Sequence, residues 1–249
     1  RSVFATAHVI DALLQRRLPV LYLLRGHERE WVNRTEDSSR IGTAIDVYER
    51  LHAEGAVGPL IMVFPGLASD DNSVPSMLSD MVAPELAPFP GIGAGAFQRF
   101  FFADLLPAIE RRFRAHPRAR AVAGFSLGGL MAVKAAALRP DLFASVGSFD
   151  GPILYASDGG TCARLSDSVL ANPMFDPALG APRNRARLHI DHPITALLRA
   201  DREAVRRISW IVQYGPEALD PWGANFYRGE YLIRVPNAIG IANAAPIAA

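Results

Sequence analysis

A short glycine-rich segment, Gly-Phe-Ser-Leu-Gly-Gly at residues 124–129, is the strongest structural constraint in this sequence. It follows an apolar run at 120–124 that predicts a strand, and it leads into an alanine-rich run at 127–138 that predicts a helix. The pattern is G-x-S-x-G, in which small residues let the strand and the helix approach closely on either side of a sharp turn. The sequence therefore predicts that Ser126 is a nucleophile exposed above the carboxyl end of a strand.

The same turn predicts where a negative charge can be stabilised. The N–H of Leu127 lies at the start of the predicted helix, where amide donors are unpaired and the helix dipole favours an anion. It is the first candidate for an oxyanion-hole donor. The second candidate is the N–H of His27, which follows the strand predicted at 18–24. The side chains of His27 and Glu28 either line the site or are ordinary polar loop residues.

Short apolar runs alternate with helical patterns along the rest of the chain. Strands are predicted over residues 3–10, 18–24, 60–64, 120–124, 144–149 and 208–214, and helices over 43–52, 97–114 (bent or restarted at Pro107) and 127–138. Continuous apolar strands between helices favour a parallel sheet covered on both faces, in one domain over residues 1–249. Two stretches are predicted to be irregular: 68–96, which we expect to line a site, and 150–192, with one short helix near 165–170.

Composition excludes several functional classes. The 249 residues include 26 basic and 25 acidic side chains. The resulting net charge of +1 lacks the excess of positive charge that is typical of proteins that bind nucleic acids or membrane surfaces. No apolar run reaches the length of about 18 residues that a transmembrane helix needs. The single cysteine, Cys162, excludes an internal disulfide and a cysteine-based metal site. Asp70 and Asp71 are better explained by a polar turn than by a cation site.

Two segments of the chain together resemble a known family. Pro-Val-Leu-Tyr-Leu-Leu-Arg-Gly at residues 19–26, followed by Trp31, and then the turn at Ser126 are similar to the esterase family of α/β-hydrolases. That family includes S-formylglutathione hydrolases, enterochelin esterases, feruloyl esterases and secreted mycolyltransferases. The resemblance extends over nearly the whole chain. The resemblance implies an α/β-hydrolase fold with a mainly parallel central sheet flanked by helices. The family usually has histidine where this chain has Arg25, a difference that concerns specificity more than mechanism.

The resemblance also implies where further pocket residues lie. The segment after the helix at 127–138 is similar to the family's strand and loop behind the nucleophile, which would place Asp150 near the floor of the site. A turn residue at the end of a strand is an equally good interpretation of Asp150. Trp31 and Trp222 are expected in loops at the edge of an acyl pocket, whereas Trp210 is expected in the core.

The catalytic residues of this fold follow the chain order serine, acid, histidine. The acid should come after the strand at 208–214, where the candidates are Glu217 and Asp220, equally favoured, and then Glu230. The histidine is missing from this order, because all six histidines precede the acid candidates. The last two of them, His189 and His192, come before the strand and are out of order.

Two explanations account for the missing histidine. The chain starts at Arg1 without a methionine and ends without a clear stop pattern at 237–249, so we expect truncation at both ends. On this explanation the reading frame continues past Ala249 into a strand and a histidine-containing loop. The alternative is a homologue that has lost catalysis. Location, cytoplasmic or secreted, is left open because truncation would remove an N-terminal signal.

The sequence predicts a serine carboxylester hydrolase that works through an acyl-enzyme on Ser126. The alternatives are an acyltransferase of the mycolyltransferase type and a non-catalytic binding protein with a hydrolase fold. No metal or organic cofactor is implied, since the protein would supply the nucleophile, the base and the oxyanion hole itself. The expected partner is a small-molecule ester, with no nucleic acid and no membrane span.

Overall fold

A computed structural model describes residues 16–26, 31–34, 42–149, 151 and 172–213. The strand predicted at 3–10 and the short helix predicted near 165–170 lie outside these residues. In the described part, the strands are β1 (Leu18–Leu24), β2 (Ile61–Val63), β3 (Ala115–Phe125), β4 (Ser145–Phe149) and β5 (Ser209–Gln213). The helices are α1 (Ala44–Ala53), α2 (Phe97–Arg99), α3 (Leu106–Arg112), α4 (Leu127–Leu138), α5 (Asp176–Leu179), α6 (Arg185–Asp191), α7 (Pro193–Arg199) and α8 (Arg202–Arg207).

The described strands form one sheet in the order β2-β1-β3-β4-β5, and every neighbouring pair is parallel. The predicted parallel sheet is therefore confirmed. Near their carboxyl ends, Leu24 of β1 pairs with Gly124 of β3, and Phe125 pairs with Phe149 of β4. Because all carboxyl ends lie along one edge, the segments that leave β1, β2 and β3 meet above it, where open parallel sheets bind ligands.

The start of β3 differs from the prediction. The sequence predicts this strand from residue 120, whereas the structure begins it at Ala115. Leu18 of β1 pairs with Ala115, but Val20 pairs with Arg120, so residues 116–119 bulge out of register. The polar composition of these bulged residues hides the start of the strand from a search for apolar runs.

The helix predicted to be bent or restarted at Pro107 is interrupted by a π-helical segment, Phe100–Leu105, and restarts as α3 at Leu106. A proline has no N–H to donate to the carbonyl four residues earlier, and its ring crowds that carbonyl. A wider turn just before the proline relieves this crowding while the chain stays helical. The run ends at Arg112, two residues before the predicted end.

The expectation that 150–192 is irregular is wrong for its described second half. A 3₁₀ turn at Pro173–Phe175, α5 and α6 lie there, directly before α7 and α8. These helices are short, with too few turns for an apolar period to be visible in the sequence. Polar side chains at their starts accept hydrogen bonds from backbone N–H groups, at Asn172, Asn184, His192 and Asp201.

The stretch 68–96 is a long loop, as predicted, with one 3₁₀ turn at Pro84–Leu86, and it begins with a polar turn. The Asp71 carboxylate accepts hydrogen bonds from the hydroxyls of Ser69 and Ser73, both at 2.6 Å, and from the Ser73 N–H at 3.1 Å. These bonds hold the pKa of Asp71 below its usual range. The carboxylate is thus engaged inside the turn, in agreement with the interpretation of Asp70 and Asp71 as turn residues.

Helix α4 is the centre of the core. All eleven residues from Leu127 to Ala137 are buried, and the helix packs against β1, β3, β4 and α7. A helix that is apolar all round belongs in an interior, which agrees with its position. Trp210 of β5, predicted to be a core residue, is 1% exposed. Within the described ranges, no helix is both long and apolar enough to cross a membrane.

One core side chain carries a polar atom without a described partner. Tyr22 of β1 is 0% exposed, its ring packs edge-on against Phe101 at 5.8 Å, and its hydroxyl has no hydrogen-bond partner among the described residues. Burial raises the pKa of this hydroxyl to about 12. A buried donor without a partner costs about 1–3 kcal/mol.

We therefore expect Tyr22→Phe to leave the free energy of unfolding unchanged or to raise it by up to about 1 kcal/mol, since the ring contacts remain. Tyr48→Phe is the matched control, because the Tyr48 hydroxyl accepts a 3.3 Å bond from the Leu60 N–H. The control should lose about 0.5–1.5 kcal/mol. Urea unfolding followed by circular dichroism measures the free energy of unfolding of both variants. A larger loss of stability in Tyr22→Phe than in Tyr48→Phe would show that the Tyr22 hydroxyl does have a hydrogen-bond partner.

Candidate active site

Ser126 lies on a sharp turn between the last residue of β3 and the first residue of α4. Its backbone has φ 52° and ψ −123°, a region that residues other than glycine rarely occupy. The Ser126 N–H donates to the carbonyl of Phe149 at 2.9 Å, and the Ser126 carbonyl accepts from the Leu130 N–H at 3.1 Å. Bonds to β4 and to α4 thus hold the strained conformation, with the serine half-buried at the edge of the sheet.

The two glycines of the G-x-S-x-G pattern are required by backbone packing. A Cβ at Gly124 would lie 2.2 Å from the carbonyl carbon of Gly128. A Cβ at Gly128 would lie 1.9 Å from the carbonyl oxygen of Leu24. Both distances are far below van der Waals contact, so the start of α4 can pass β1 and β3 only with glycine at both positions.

The first turn of α4 presents backbone donors beside Ser126. The first hydrogen bond of the helix runs from the Leu130 N–H to the Ser126 carbonyl. The N–H of Leu127 precedes this bond and therefore has no partner within the helix. It lies at the positive end of the helix dipole, which is the environment that an oxyanion donor needs.

The segment after β1 lies against this turn. A Cβ at Gly128 would come within 2.8 Å of the Arg25 carbonyl oxygen, so Arg25 and the first turn of α4 are in close contact. The predicted second donor, the His27 N–H, and the predicted pocket residue Glu28 come directly after Arg25 and Gly26. Both lie outside the described residues, as do Asp150 and the three acid candidates Glu217, Asp220 and Glu230.

A cavity of about 370 Å³ opens between the segments that follow β1 and β2. Its volume is within the range of small-molecule sites. Ser126 does not line it, but β1 is the immediate neighbour of β3, and adjacent strands are about 4.8 Å apart. The cavity is lined by Leu23, Arg25, Trp31, Val32, Phe64, Pro65, Gly66, Ala68, Ser69, Asp70 and Gly91.

Of the two tryptophans that the sequence places at a pocket edge, Trp31 lines this cavity and Trp222 lies outside the described residues. The Nε1 of Trp31 is buried and has no hydrogen-bond partner among the described residues. Arg25 lines the cavity, and its carbonyl also contacts the start of α4, so this residue connects the cavity with the turn that carries Ser126. Whether Trp31 contacts an acyl group stays a prediction.

The sequence of the chain matches a known protein family. The family described as "Putative esterase" matches residues 14–224, which includes Ser126 and both preferred acid candidates. The chain belongs to this esterase family.

Individual relatives agree with this assignment. Esterase Rv1288 of Mycobacterium tuberculosis (strain H37Rv) is 32% identical over 208 residues, which is 81% of this chain and 40% of that protein. This chain therefore spans less than half the length of that relative.

Solved structures show the same fold. A ferulic acid esterase superposes with a TM-score of 0.62 at 20% identity, covering 93% of this chain and 77% of that one. FphF, a fluorophosphonate-binding serine hydrolase of Staphylococcus aureus, superposes with a TM-score of 0.60 at 14% identity, covering 98% of this chain and 81% of that one. The predicted α/β-hydrolase fold is confirmed.

The two histidines that precede β5 differ in their surroundings. His192 is 0% exposed, and its Nδ1 accepts a 3.1 Å bond from the Ile194 N–H at the start of α7. The His192 ring is therefore engaged as the N-terminal cap of α7. His189 lies in the last turn of α6. Among the described residues, no cluster of three or more His, Cys, Asp or Glu side chains could hold a metal ion.

Among the described residues, sequence reasoning missed a polar cluster that is centred on Lys134. The Lys134 ammonium donates to Asp191 at 2.6 Å, to the Ser79 hydroxyl at 2.8 Å and to the Met77 carbonyl at 3.2 Å. Burial lowers the pKa of Lys134, and the neighbouring Asp191 opposes that shift. The only clue in the sequence is that the one lysine of the chain lies inside a helix whose other residues are all apolar or glycine.

We expect Gly128→Ala to destabilise the folded chain by about 3 kcal/mol or more, because the added methyl group collides with backbone that cannot move aside. Gly58→Ala is the matched control, since a Cβ there has nothing within 4 Å. Thermal unfolding of both variants tests this, with a large fall in Tm only for Gly128→Ala. Equal Tm values for the two variants would show that α4 does not approach β1 as described.

Proposed function

We propose that this chain is the catalytic part of a serine carboxylester hydrolase and that Ser126 forms the acyl-enzyme. The single observation that carries the proposal is the strained backbone of Ser126, at φ 52° and ψ −123°, between two glycines that permit no side chain. Strained residues held by several contacts are concentrated at functional sites. Membership of the esterase family supports the reaction class.

In the proposed reaction, Ser126 Oγ bonds to the carbonyl carbon of the ester while its proton passes to a histidine base. The carbonyl oxygen becomes an oxyanion, and the Leu127 N–H donates to it together with the His27 N–H. The carbon–oxygen bond to the alcohol then breaks, and the alcohol leaves with the proton from the base. Water attacks the acyl-enzyme with the help of the same base, which releases the acid and restores Ser126.

The proposed acid is Glu217 or Asp220, whose carboxylate would orient the histidine. No histidine follows either residue in the 249 residues. Activity is therefore measured on the complete reading frame, as in all the experiments below. The cavity beside Arg25 and Trp31 is the proposed acyl or alcohol pocket, because Arg25 both lines it and contacts the first turn of α4.

Ser126→Ala should abolish hydrolysis of p-nitrophenyl acetate, with a fall in kcat of roughly 10⁴-fold or more. It should also abolish labelling by a fluorophosphonate, because the reagent bonds to the activated serine oxygen. Ser209→Ala is the control, since this exposed serine on β5 makes no described side-chain contact to the turn. A Ser126→Ala protein that is still labelled, or that keeps its turnover, would rule out Ser126 as the nucleophile.

Glu217→Gln and Asp220→Asn, made separately, should distinguish the two acid candidates. Loss of the orienting carboxylate leaves the histidine in the wrong tautomer and lowers kcat by about 10⁴-fold. We expect this loss in one variant and turnover within about threefold of the unsubstituted protein in the other. Steady-state kinetics with p-nitrophenyl acetate provide the measurement, and unchanged turnover in both variants would clear both residues of the role.

A further inference from the structure

The buried cluster around Lys134 joins three separate parts of the chain. Lys134 belongs to α4, Ser79 and Met77 belong to the loop at 68–96, and Asp191 ends α6. All three ammonium protons are used, and the Ser79 hydroxyl donates to the second oxygen of Asp191 at 2.6 Å. The Lys134 and Asp191 side chains are 1% and 5% exposed, so the ion pair is almost completely removed from water.

The loop segment held by this cluster has an unfavourable backbone. Met77 has φ 54° and Leu78 has φ 51°, and both residues are 0% exposed. Two consecutive non-glycine residues in the left-handed region need strong contacts to keep them there. Lys134 provides such contacts, because it binds the carbonyl of Met77 and the hydroxyl of Ser79, on either side of Leu78.

The same loop segment is bonded to the wall of the cavity. The Ser76 N–H donates to the Leu67 carbonyl at 3.1 Å, and the Ser69 N–H donates to the Val74 carbonyl at 3.0 Å. Ala68 and Ser69, which line the cavity, are therefore tied to the residues directly before Met77. A shift of the segment at Met77 moves this wall.

Helix α4 connects the cluster around Lys134 to Ser126. Lys134 is eight residues after Ser126, on a helix that is buried from Leu127 to Ala137. With a rise of 1.5 Å per residue, the two positions are about 12 Å apart along the axis. One rigid helix thus carries the proposed nucleophile at its start and the anchor of the cavity wall in its second half.

We propose that Lys134 is a positioning residue that fixes the cavity wall relative to Ser126 and so sets which acyl groups the enzyme accepts. The inference rests on the proposed function, since it assigns the cavity to the ester substrate. A buried ion pair is seldom more stabilising than apolar side chains of the same volume, so stability alone does not explain a charge here. The network of directed bonds favours one loop conformation over other packed arrangements.

The test uses a neutral double variant, Lys134→Met with Asp191→Asn, which leaves neither charge buried alone. We expect KM for p-nitrophenyl decanoate to rise about tenfold and KM for p-nitrophenyl acetate to stay within about twofold. The rate of labelling by a small fluorophosphonate should also stay within about twofold, because Ser126 and the first turn of α4 are untouched.

Two further variants separate positioning from stability. Ser79→Ala keeps the ion pair and removes only the hydroxyl bridge, and we expect a smaller rise in KM for the decanoate, about threefold. Arg120→Met with Glu110→Gln removes another partly buried ion pair, one that bonds to Leu142 and makes no described bond to the loop at 68–96. This control should lower Tm without changing the ratio of the two KM values.

The outcomes are distinct. An unchanged KM ratio in both Ser79→Ala and the double variant would overturn the proposal and leave Lys134 a purely structural residue. If the double variant does not fold, Ser79→Ala decides alone. If the unsubstituted protein folds but is neither labelled nor active, the proposed function fails, and this inference fails with it.

Discussion

The backbone contact between the start of α4 and the ends of β1 and β3 determines the rest of the molecule. Gly124, Gly128 and the Leu24 carbonyl lie so close together that no side chain fits between them. This contact forces Ser126 into its strained turn, points the first N–H groups of α4 at the sheet edge and brings Arg25 against the helix. For the same reason, Arg25 connects the cavity with the turn.

The fold was largely predictable, because its main elements have clear local patterns. The apolar run of β1 and the alanine-rich run of α4 are sharply bounded, and the predicted and observed ends of both elements agree. Prediction failed where length or composition hides the pattern. Helices α5 and α6 have too few turns to show a period, and the polar bulge at 116–119 does not resemble a buried strand.

The candidate site was predictable only in part. Ser126 and Leu127 follow from one local motif, because the spacing of the glycines already specifies the turn. The Lys134 cluster depends on Ser79 and Asp191, which are 55 and 57 residues away from it in the chain. No local pattern encodes such a contact, since it exists only after the loop and α6 have packed onto α4. A single lysine in an apolar helix indicates a buried partner without identifying it.

Because α4 is buried on all sides, the number of residues between Ser126 and Lys134 cannot change without loss of contacts. Successive residues turn by about 100° around the axis, so one residue inserted between Ser126 and Lys134 would rotate the ammonium away from Ser79. A helix with a solvent face can absorb such a rotation by exposing different side chains, but α4 has eleven consecutive buried positions and no such face. Point substitutions can therefore alter this helix gradually, whereas a change in its length would disconnect the serine from the loop in one step.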